Sequence, residues 1–116
     1  MIIRIWHGWT TRGDADAYQT LLHEEITPES VNGEQTPGMR GIDLLRRDLG
    51  EDSDEVEFVT VMTFEDWDAV RAFAGPEVEA SVVPDADRAL LKRFDASCQH
   101  YELLSAHRVE GRGAAG

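Results

Sequence analysis

The chain has 116 residues, of which 41% are hydrophobic and 29% are charged, and its formal net charge is -12. This length is typical of one domain, and the negative charge disfavours nucleic acid and anionic membrane surfaces as partners. The sequence has no run of about 18 apolar residues that could span a membrane, and its single cysteine excludes an internal disulfide. We therefore expect one domain located in the cytoplasm.

The choice of charged residues is uneven. Lys92 is the only lysine among 11 basic residues, against 23 acidic ones. Adaptation to high salt produces this composition, because salt screens the repulsion between acidic groups. An acidic, arginine-preferring proteome of high GC content produces it too. Both origins stay open, and neither identifies a function.

The chain begins with a strand predicted over residues 2–10, which is rich in branched and aromatic side chains. Its two alternating faces are both apolar or bulky, so neither is typical of a surface in contact with water. A turn and a helix are predicted over residues 10–26, with Gly13 or Asp14 as the N-terminal cap. One helical layer covers only one face of the strand, so the other face needs a second cover.

The remaining sequence predicts three more strands and two more helices. Branched and apolar runs give strands over 40–49, 56–64 and 97–104. Helical spacing of apolar residues gives helices over 65–75 and 85–94. Asn-Gly and Pro-Gly pairs predict a loop over 31–39, and an acidic turn over 50–55 predicts a hairpin between the second and third strands.

Apart from the additional helix over 85–94, the element order is β-α-β-β-α-β. This order predicts an α+β, ferredoxin-like domain over residues 1–104, in which an antiparallel sheet carries helices on one face. Residues 105–116 are predicted to form a flexible C-terminal tail. A second copy of the chain is the most economical cover for the other face of the sheet, so the sequence predicts a homodimer.

Three stretches resemble a known protein family. They are the end of the first strand at Trp9-Thr10, PGMRGIDLLRR at 37–47 and FVTVMTFEDWDAVRAFAG at 58–75. With the element order, they resemble the antibiotic biosynthesis monooxygenase family of dimeric α+β barrel proteins. The resemblance implies two sheets paired face to face and a cavity for a small hydrophobic or aromatic ligand. Some members oxidise aromatic polyketides with dioxygen and no cofactor, others degrade haem, and many have no known activity.

The resemblance also bears on the orientation of the first strand. Because a buried charge needs a partner, Ile2, Arg4 and Trp6 are predicted to lie on the dimer side of the sheet. His7 and Trp9 are then predicted to lie toward the helices, where the pockets of the superfamily often lie.

Two histidines are the candidate catalytic residues. His7 and His100 lie on the first and last strands, which are neighbours in this fold, and are predicted to serve a phenolic substrate as proton acceptor and hydrogen-bond donor. The alternative is that each is a structural histidine. Arg4 and Glu102 are predicted to form a cross-strand ion pair. No spacing of ligand residues indicates a metal site.

Five further residues are candidate substrate contacts. Thr60 and Phe64 stand where the resemblance places an Asn and a Trp of the quinone-forming members. Trp67, at a strand-to-helix turn, matches the Trp of the haem-degrading members. The Asn and the His that those members also use have no counterpart here, so no cofactor is predicted. Tyr101 is predicted to orient the ligand, and Trp9 to add an aromatic wall. The alternative for most of them is ordinary core and dimer packing.

Three functions follow from these features. The first is a cofactor-independent monooxygenase that acts on a small aromatic or quinone-like molecule. The second is a non-catalytic dimeric module that binds a hydrophobic metabolite, and the third is a stress-related dimer with no ligand. A cavity lined by His7, Trp67 and Thr60 would favour the first two functions, and a filled interior would favour the third.

Overall fold

The computed structural model describes residues 1–26 and 36–109. Within those ranges the chain forms five strands and three helices. The strands are β1 Ile2–Thr11, β2 Met39–Asp48, β3 Glu55–Phe64, β4 Arg93–Phe94 and β5 Gln99–Glu102. The helices are α1 Arg12–Glu25, α2 Trp67–Ala74 and α3 Asp85–Leu90.

All strand pairs in the sheet are antiparallel, in the order β2-β3-β1, and β4 and β5 both pair with the remaining edge of β1. β3 therefore lies between β1 and β2, the two strands that α1 connects, which is the split βαβ arrangement. The predicted α+β, ferredoxin-like fold and the hairpin of β2 and β3 are confirmed.

The last quarter of the chain differs from the prediction. The helix predicted over 85–94 ends at Leu90, and Arg93–Phe94 pairs with β1 as a short strand. The backbone N–H groups of Lys92 and Asp95 donate to the carbonyl oxygens of Trp9 and His7, at 2.7 and 2.9 Å. This pairing provides hydrogen-bond partners for backbone groups at the edge of β1. The long-range pairing is therefore formed in place of the helix that the spacing of the leucines predicts. The strand predicted over 97–104 is shorter, at 99–102.

α1 is capped two or three residues earlier than predicted. Thr11, in an extended conformation, is the N-cap, and its side-chain oxygen accepts a hydrogen bond from the backbone N–H of Asp14 at 3.3 Å. The predicted caps, Gly13 and Asp14, are therefore wrong. The strand runs directly into the helix without a separate turn, because Thr11 can end one and cap the other.

The side chains of β1 alternate strictly between the two faces of the sheet. Ile2, Arg4 and Trp6 are 5%, 2% and 8% exposed and lie under the helices, whereas His7 and Trp9 lie on the opposite face, which the described helices do not cover. The predicted orientation of the strand is thus wrong. The prediction assumed that Arg4 would have no partner for its charge under the helices. In the structure Arg4 has polar partners there, which are described below.

Several predictions fall wholly or partly outside the described residues. Of the loop predicted over 31–39, residues 31–35 are outside the described ranges. Of the tail predicted over 105–116, residues 110–116 are outside them. The extent of the domain over 1–104 stays a prediction. None of the three helices in the described ranges has the length and apolar character needed to cross a membrane.

Candidate functional site

A cavity of about 410 Å³ lies between the covered face of the sheet and the helices. This volume falls in the range of small-molecule sites, about 300–1,000 Å³. The apolar part of its wall is formed by Trp6, Leu22, Ile26, Met39, Ile42, Met62, Phe73, Val82, Val83 and Pro84. The polar part is formed by Arg4, Tyr18, Glu25, Thr36, Thr60, Asp87 and Cys98. The wall therefore suits an apolar molecule with few polar groups.

Thr60 is the predicted site residue that this cavity contains. It lies on β3, opposite Trp6 of β1, and only 6% of it is exposed. Because opposed residues of an antiparallel pair share a face, Thr60 and Trp6 both point to the helix side. The position is fixed by two long strands, so a ligand would meet a rigid wall there.

Two buried polar atoms of the cavity residues make no hydrogen bond of ordinary length to the described residues, although the side chains of Tyr18, Glu25 and Asp87 lie close enough to affect one another. The two atoms are the phenol oxygen of Tyr18, on α1, and Oδ1 of Asp87, on α3. Tyr18 is fully buried and Asp87 is 4% exposed. A buried polar group without a partner costs about 1–3 kcal/mol, so such atoms normally face water or a ligand. Both atoms can therefore bind a polar group of a ligand in the cavity.

The acid groups around these atoms affect one another. The pKa of Tyr18 is raised, first by burial and then by the charge of Asp87. The pKa of Glu25 is raised to about 7, first by partial burial and then by the nearby Asp87. Two close carboxyl groups resist double ionisation. The wall formed by Tyr18, Glu25 and Asp87, here called the acid wall, can thus hold or release a proton near neutral pH.

Arg4 is a buried cation on another part of the cavity wall. Its guanidinium donates to the carbonyl oxygens of Val78 at 2.5 Å and Ala80 at 2.9 Å, and lies 3.0 Å from Nε2 of His100. It also lies over the ring of Phe73, 5.6 Å from its centroid. Burial lowers the pKa of Arg4. These contacts explain how a charge is accommodated under the helices.

The contact with Arg4 defines the state of His100. A guanidinium only donates hydrogen bonds, so Nε2 of His100 accepts and the ring proton is on Nδ1. Burial and then the charge of Arg4 lower the pKa of His100, which keeps the ring neutral. The predicted ion pair of Arg4 with Glu102 is wrong, because Glu102 lies opposite Ile2 and His100 lies opposite Arg4.

Three predicted site residues border a second, more open cleft. They are Trp67, His100 and Tyr101, and the rings of Trp67 and His100 are 5.4 Å apart. Trp67 is 36% exposed and Tyr101 is 54% exposed. Cys98 borders both the cleft and the cavity. The expected single pocket of Thr60, Trp67 and a histidine is therefore divided between two depressions.

The remaining predicted site residues lie elsewhere. Nδ1 of His7 is 2.9 Å from Oε2 of Glu57, and its ring stacks on Trp9, all on the uncovered face. Phe64 is fully buried in the core against Phe73. Since His7 and His100 lie on opposite faces of the sheet, the prediction that they act as a pair is wrong. The chemical role of each predicted residue alone stays a prediction.

The polar residues of the cavity were largely missed from the sequence. Nothing in the sequence distinguishes Asp87 from its neighbour Asp85, because both are acidic residues in the first turn of α3. Tyr18 falls at the helical spacing of buried residues, which indicates burial but not an unpartnered hydroxyl. Arg4 was detectable as the one charge in a strand with two apolar faces.

Two solved structures are similar to this chain. One is a candidate antibiotic biosynthesis monooxygenase from Deinococcus radiodurans, with a TM-score of 0.62 and 16% identity, covering 96% of this chain and 100% of that one. The other is a candidate of the same kind from Bacillus cereus, with a TM-score of 0.62 and 16% identity, covering 93% and 97%. No protein-family model matches the chain, and no curated protein does.

The likeness to these structures extends over almost the whole length of each chain. Among the residues that the structure describes, no group of three or more His, Cys, Asp or Glu side chains is placed to hold a metal ion. The resemblance to antibiotic biosynthesis monooxygenases is thus confirmed at the level of the fold, which this chain shares with both proteins.

Proposed function

We propose that this protein binds a small planar, apolar molecule with an ionisable hydroxyl group in the cavity, and oxidises it as a cofactor-independent monooxygenase. The observation that carries the proposal is the pair of unpartnered buried atoms, on Tyr18 and Asp87, in an otherwise apolar cavity of ligand size. The shared fold with candidate antibiotic biosynthesis monooxygenases supports the reaction class.

In this proposal Asp87 accepts the proton of the substrate hydroxyl. The carboxylate oxygen Oδ1 has no other partner among the described residues, whereas the Nε2 lone pair of His100 is occupied by Arg4. Thr60 orients the substrate from the opposite wall. Proton transfer of this kind contributes about 10²–10⁴-fold to a rate.

The deprotonated substrate is the electron donor and dioxygen is the oxidant. One oxygen atom of dioxygen enters the substrate as a carbonyl, and the other leaves as water together with two substrate hydrogens. A phenol and one dioxygen thus give a quinone and one water, which balances atoms and electrons. The protein supplies the base, excludes bulk water and holds the ring in place, and the predicted absence of a cofactor is part of the proposal.

The proposal includes a homodimer in the cytoplasm, formed through the uncovered face of the sheet. Val59 on β3 lies directly opposite Leu45 on β2, and Ile5 on β1 lies opposite Val61 on β3, so apolar residues of three neighbouring strands adjoin on this face, where Leu45 is 52% exposed. Stable homodimers bury such faces over about 2,000 Å² or more. The uncovered face is thus suited to a second copy of the same chain.

A non-catalytic binding module is the second candidate. It is favoured by Thr60 and Phe64, because these residues replace the reactive pair that the family resemblance places on the third strand. Such a module would use the cavity and the acid wall for binding alone. Both candidates need a ligand, so the cavity itself is tested first.

Native mass spectrometry of freshly purified protein tests for a retained small molecule. Oxygen uptake with 1-naphthol and 1,4-dihydroxynaphthalene then separates turnover from binding, with the protein-free solution as the control. Protein-dependent oxygen uptake that is unaffected by His7→Ala supports the enzyme proposal. Binding of a naphthol without oxygen uptake supports the binding module, and neither binding nor turnover would contradict both.

A further inference from the structure

Within the part of the chain that the structure describes, Arg4 is a buried charge without a counter-ion. It is 2% exposed, and none of the carboxylates among residues 1–26 and 36–109 lies within ion-pair distance of its guanidinium. Its partners are two carbonyl groups and a neutral imidazole. A buried ion is stabilised fully only by a charge of opposite sign, so the charge of Arg4 is left uncompensated on the cavity wall.

The guanidinium also has unused donors. Of its five N–H groups, the two on one terminal nitrogen point to Val78 and His100, and one on the other points to Ala80. The Nε–H and one terminal N–H have no partner among the described residues. Arg4 can therefore hold its structural contacts and bind a further acceptor at the same time.

We propose that Arg4 is the anion-binding end of the cavity, so that the ligand is a planar apolar acid with a carboxylate, enolate or other oxyanion at that end. The proposal rests on ligand binding in the cavity, as set out above, and names the ligand class. The acid wall takes a hydroxyl donor of the ligand, and Arg4 takes its anionic or carbonyl oxygen. One molecule with both groups satisfies the unpartnered atoms of both walls.

The overall charge of the protein makes this inference testable. A chain of net charge -12 repels anions at long range. A preference for an anionic ligand over a neutral one of the same shape therefore requires a local cation. Arg4 is the basic residue that lines the cavity, so the preference should depend on this residue.

The test compares two fluorescent probes with the same skeleton. 8-Anilinonaphthalene-1-sulfonate carries a sulfonate, and N-phenyl-1-naphthylamine lacks it. Dissociation constants are measured at one fixed ionic strength for the wild type, Arg4→Met, Arg4→Lys and the control Arg71→Met, which removes an exposed arginine of α2. Binding next to Cys98, the only cysteine of the chain, slows its modification by N-ethylmaleimide. Loss of this protection in Ile42→Trp, which fills the cavity and leaves the cleft unchanged, assigns the binding to the cavity.

A charge-assisted contact of about 1.5–3 kcal/mol predicts that the wild type binds the sulfonate probe roughly 10- to 100-fold more tightly than the neutral probe. Arg4→Met should abolish this preference, whereas Arg4→Lys should keep part of it and Arg71→Met all of it. If Arg4→Met does not fold, the preference in the wild type and Arg4→Lys still decides the question.

Equal affinities for the two probes, with Cys98 protected by both, would overturn the anion site and leave ligand binding in the cavity intact. Cys98 modified at the same rate with and without saturating probe would overturn both proposals. The two failures are therefore distinguishable in a single set of measurements.

Discussion

The two faces of the sheet are built from alternate residues of the same strands, yet they differ in how their polar groups are satisfied. On the uncovered face, His7 contacts Glu57, and the guanidinium of Arg93 lies 3.8 Å from the ring centroid of Trp9. On the covered face, Tyr18 and Asp87 have polar atoms without partners in the described part of the chain. These polar groups of the uncovered face are engaged by other side chains, whereas the covered face has two polar atoms that could bind a ligand.

This difference indicates separate tasks for the two faces. An apolar surface with satisfied polar groups is suited to burial against another protein. A cavity with a few unsatisfied polar atoms is suited to a small molecule. The uncovered face is therefore assigned to the second copy and the covered face to the ligand, and the predictions below test these two tasks separately.

The largest effect is expected from Asp87→Asn. If Asp87 is the proton acceptor of the proposed reaction, the substitution should lower turnover by about 10²–10⁴-fold and leave the oligomeric state unchanged. The free energy of unfolding should stay equal or rise, because the variant removes a buried carboxylate with an unpartnered oxygen. Asp85→Asn, an exposed change in the same helix, is the control. Full turnover by Asp87→Asn in steady-state kinetics would remove Asp87 from the mechanism.

Leu45→Asp is expected to act on the uncovered face alone. A charge placed in an apolar interface without a partner costs several kcal/mol, so the dimer dissociation constant should rise by at least about 100-fold. Leu104→Asp changes an 89% exposed leucine outside the sheet and should have no effect. Sedimentation velocity measures both variants. A dimer that persists in Leu45→Asp, or a monomeric wild type, would place the interface elsewhere or exclude it.

The covered face should show a pH dependence that depends on Glu25. Its pKa in the folded protein is about 7, above the ordinary value of 4.5, so the folded state holds the proton more tightly than the unfolded state. This contribution to stability is complete below pH 4.5 and is lost as the pH rises through the folded pKa near 7.

The melting temperature of the wild type should therefore fall relative to that of Glu25→Gln as the pH rises from 4.5 to 7. The neighbouring Glu24→Gln, at a residue outside the cavity wall, should follow the wild type. Thermal unfolding of the three proteins in buffers across this interval provides the comparison. A constant difference between wild type and Glu25→Gln would show that the acid wall does not hold an extra proton.

The smallest and least local effect is that of salt. The excess of acidic residues gives a net charge of -12, and these residues repel one another. Salt screens this repulsion. We expect the melting temperature to rise by a few degrees as salt increases from low to molar concentration. Differential scanning calorimetry in sodium chloride tests this, and a flat or falling melting temperature would remove the argument from charge.

The fold was largely predictable from the sequence because its strands and helices have distinct periodicities. The orientation of β1 was not, because both of its alternating faces are apolar. The only discriminating residue, Arg4, was placed on the wrong face, since the carbonyl groups of Val78 and Ala80 that accept its hydrogen bonds are distant in the chain. The helical spacing over 85–94 was overridden for the same reason, by pairing with the edge of β1.

The candidate site was predictable only in part. Thr60 was found through a resemblance in one strand, and it does line the cavity. Asp87 and Tyr18 could not be found, because an unpartnered atom is a property of the packed structure and not of a residue type. Histidine was favoured by its ordinary pKa, but contacts with Arg4 and Glu57 occupy the two strand histidines.

Native mass spectrometry of wild type and Leu45→Asp, each with added N-phenyl-1-naphthylamine, tests the division between the two faces most directly. The account predicts a wild-type dimer with one probe molecule per chain, and a Leu45→Asp monomer that still binds one. Loss of the probe together with the dimer would contradict it, because the ligand site would then lie between the two copies and not under the helices of each.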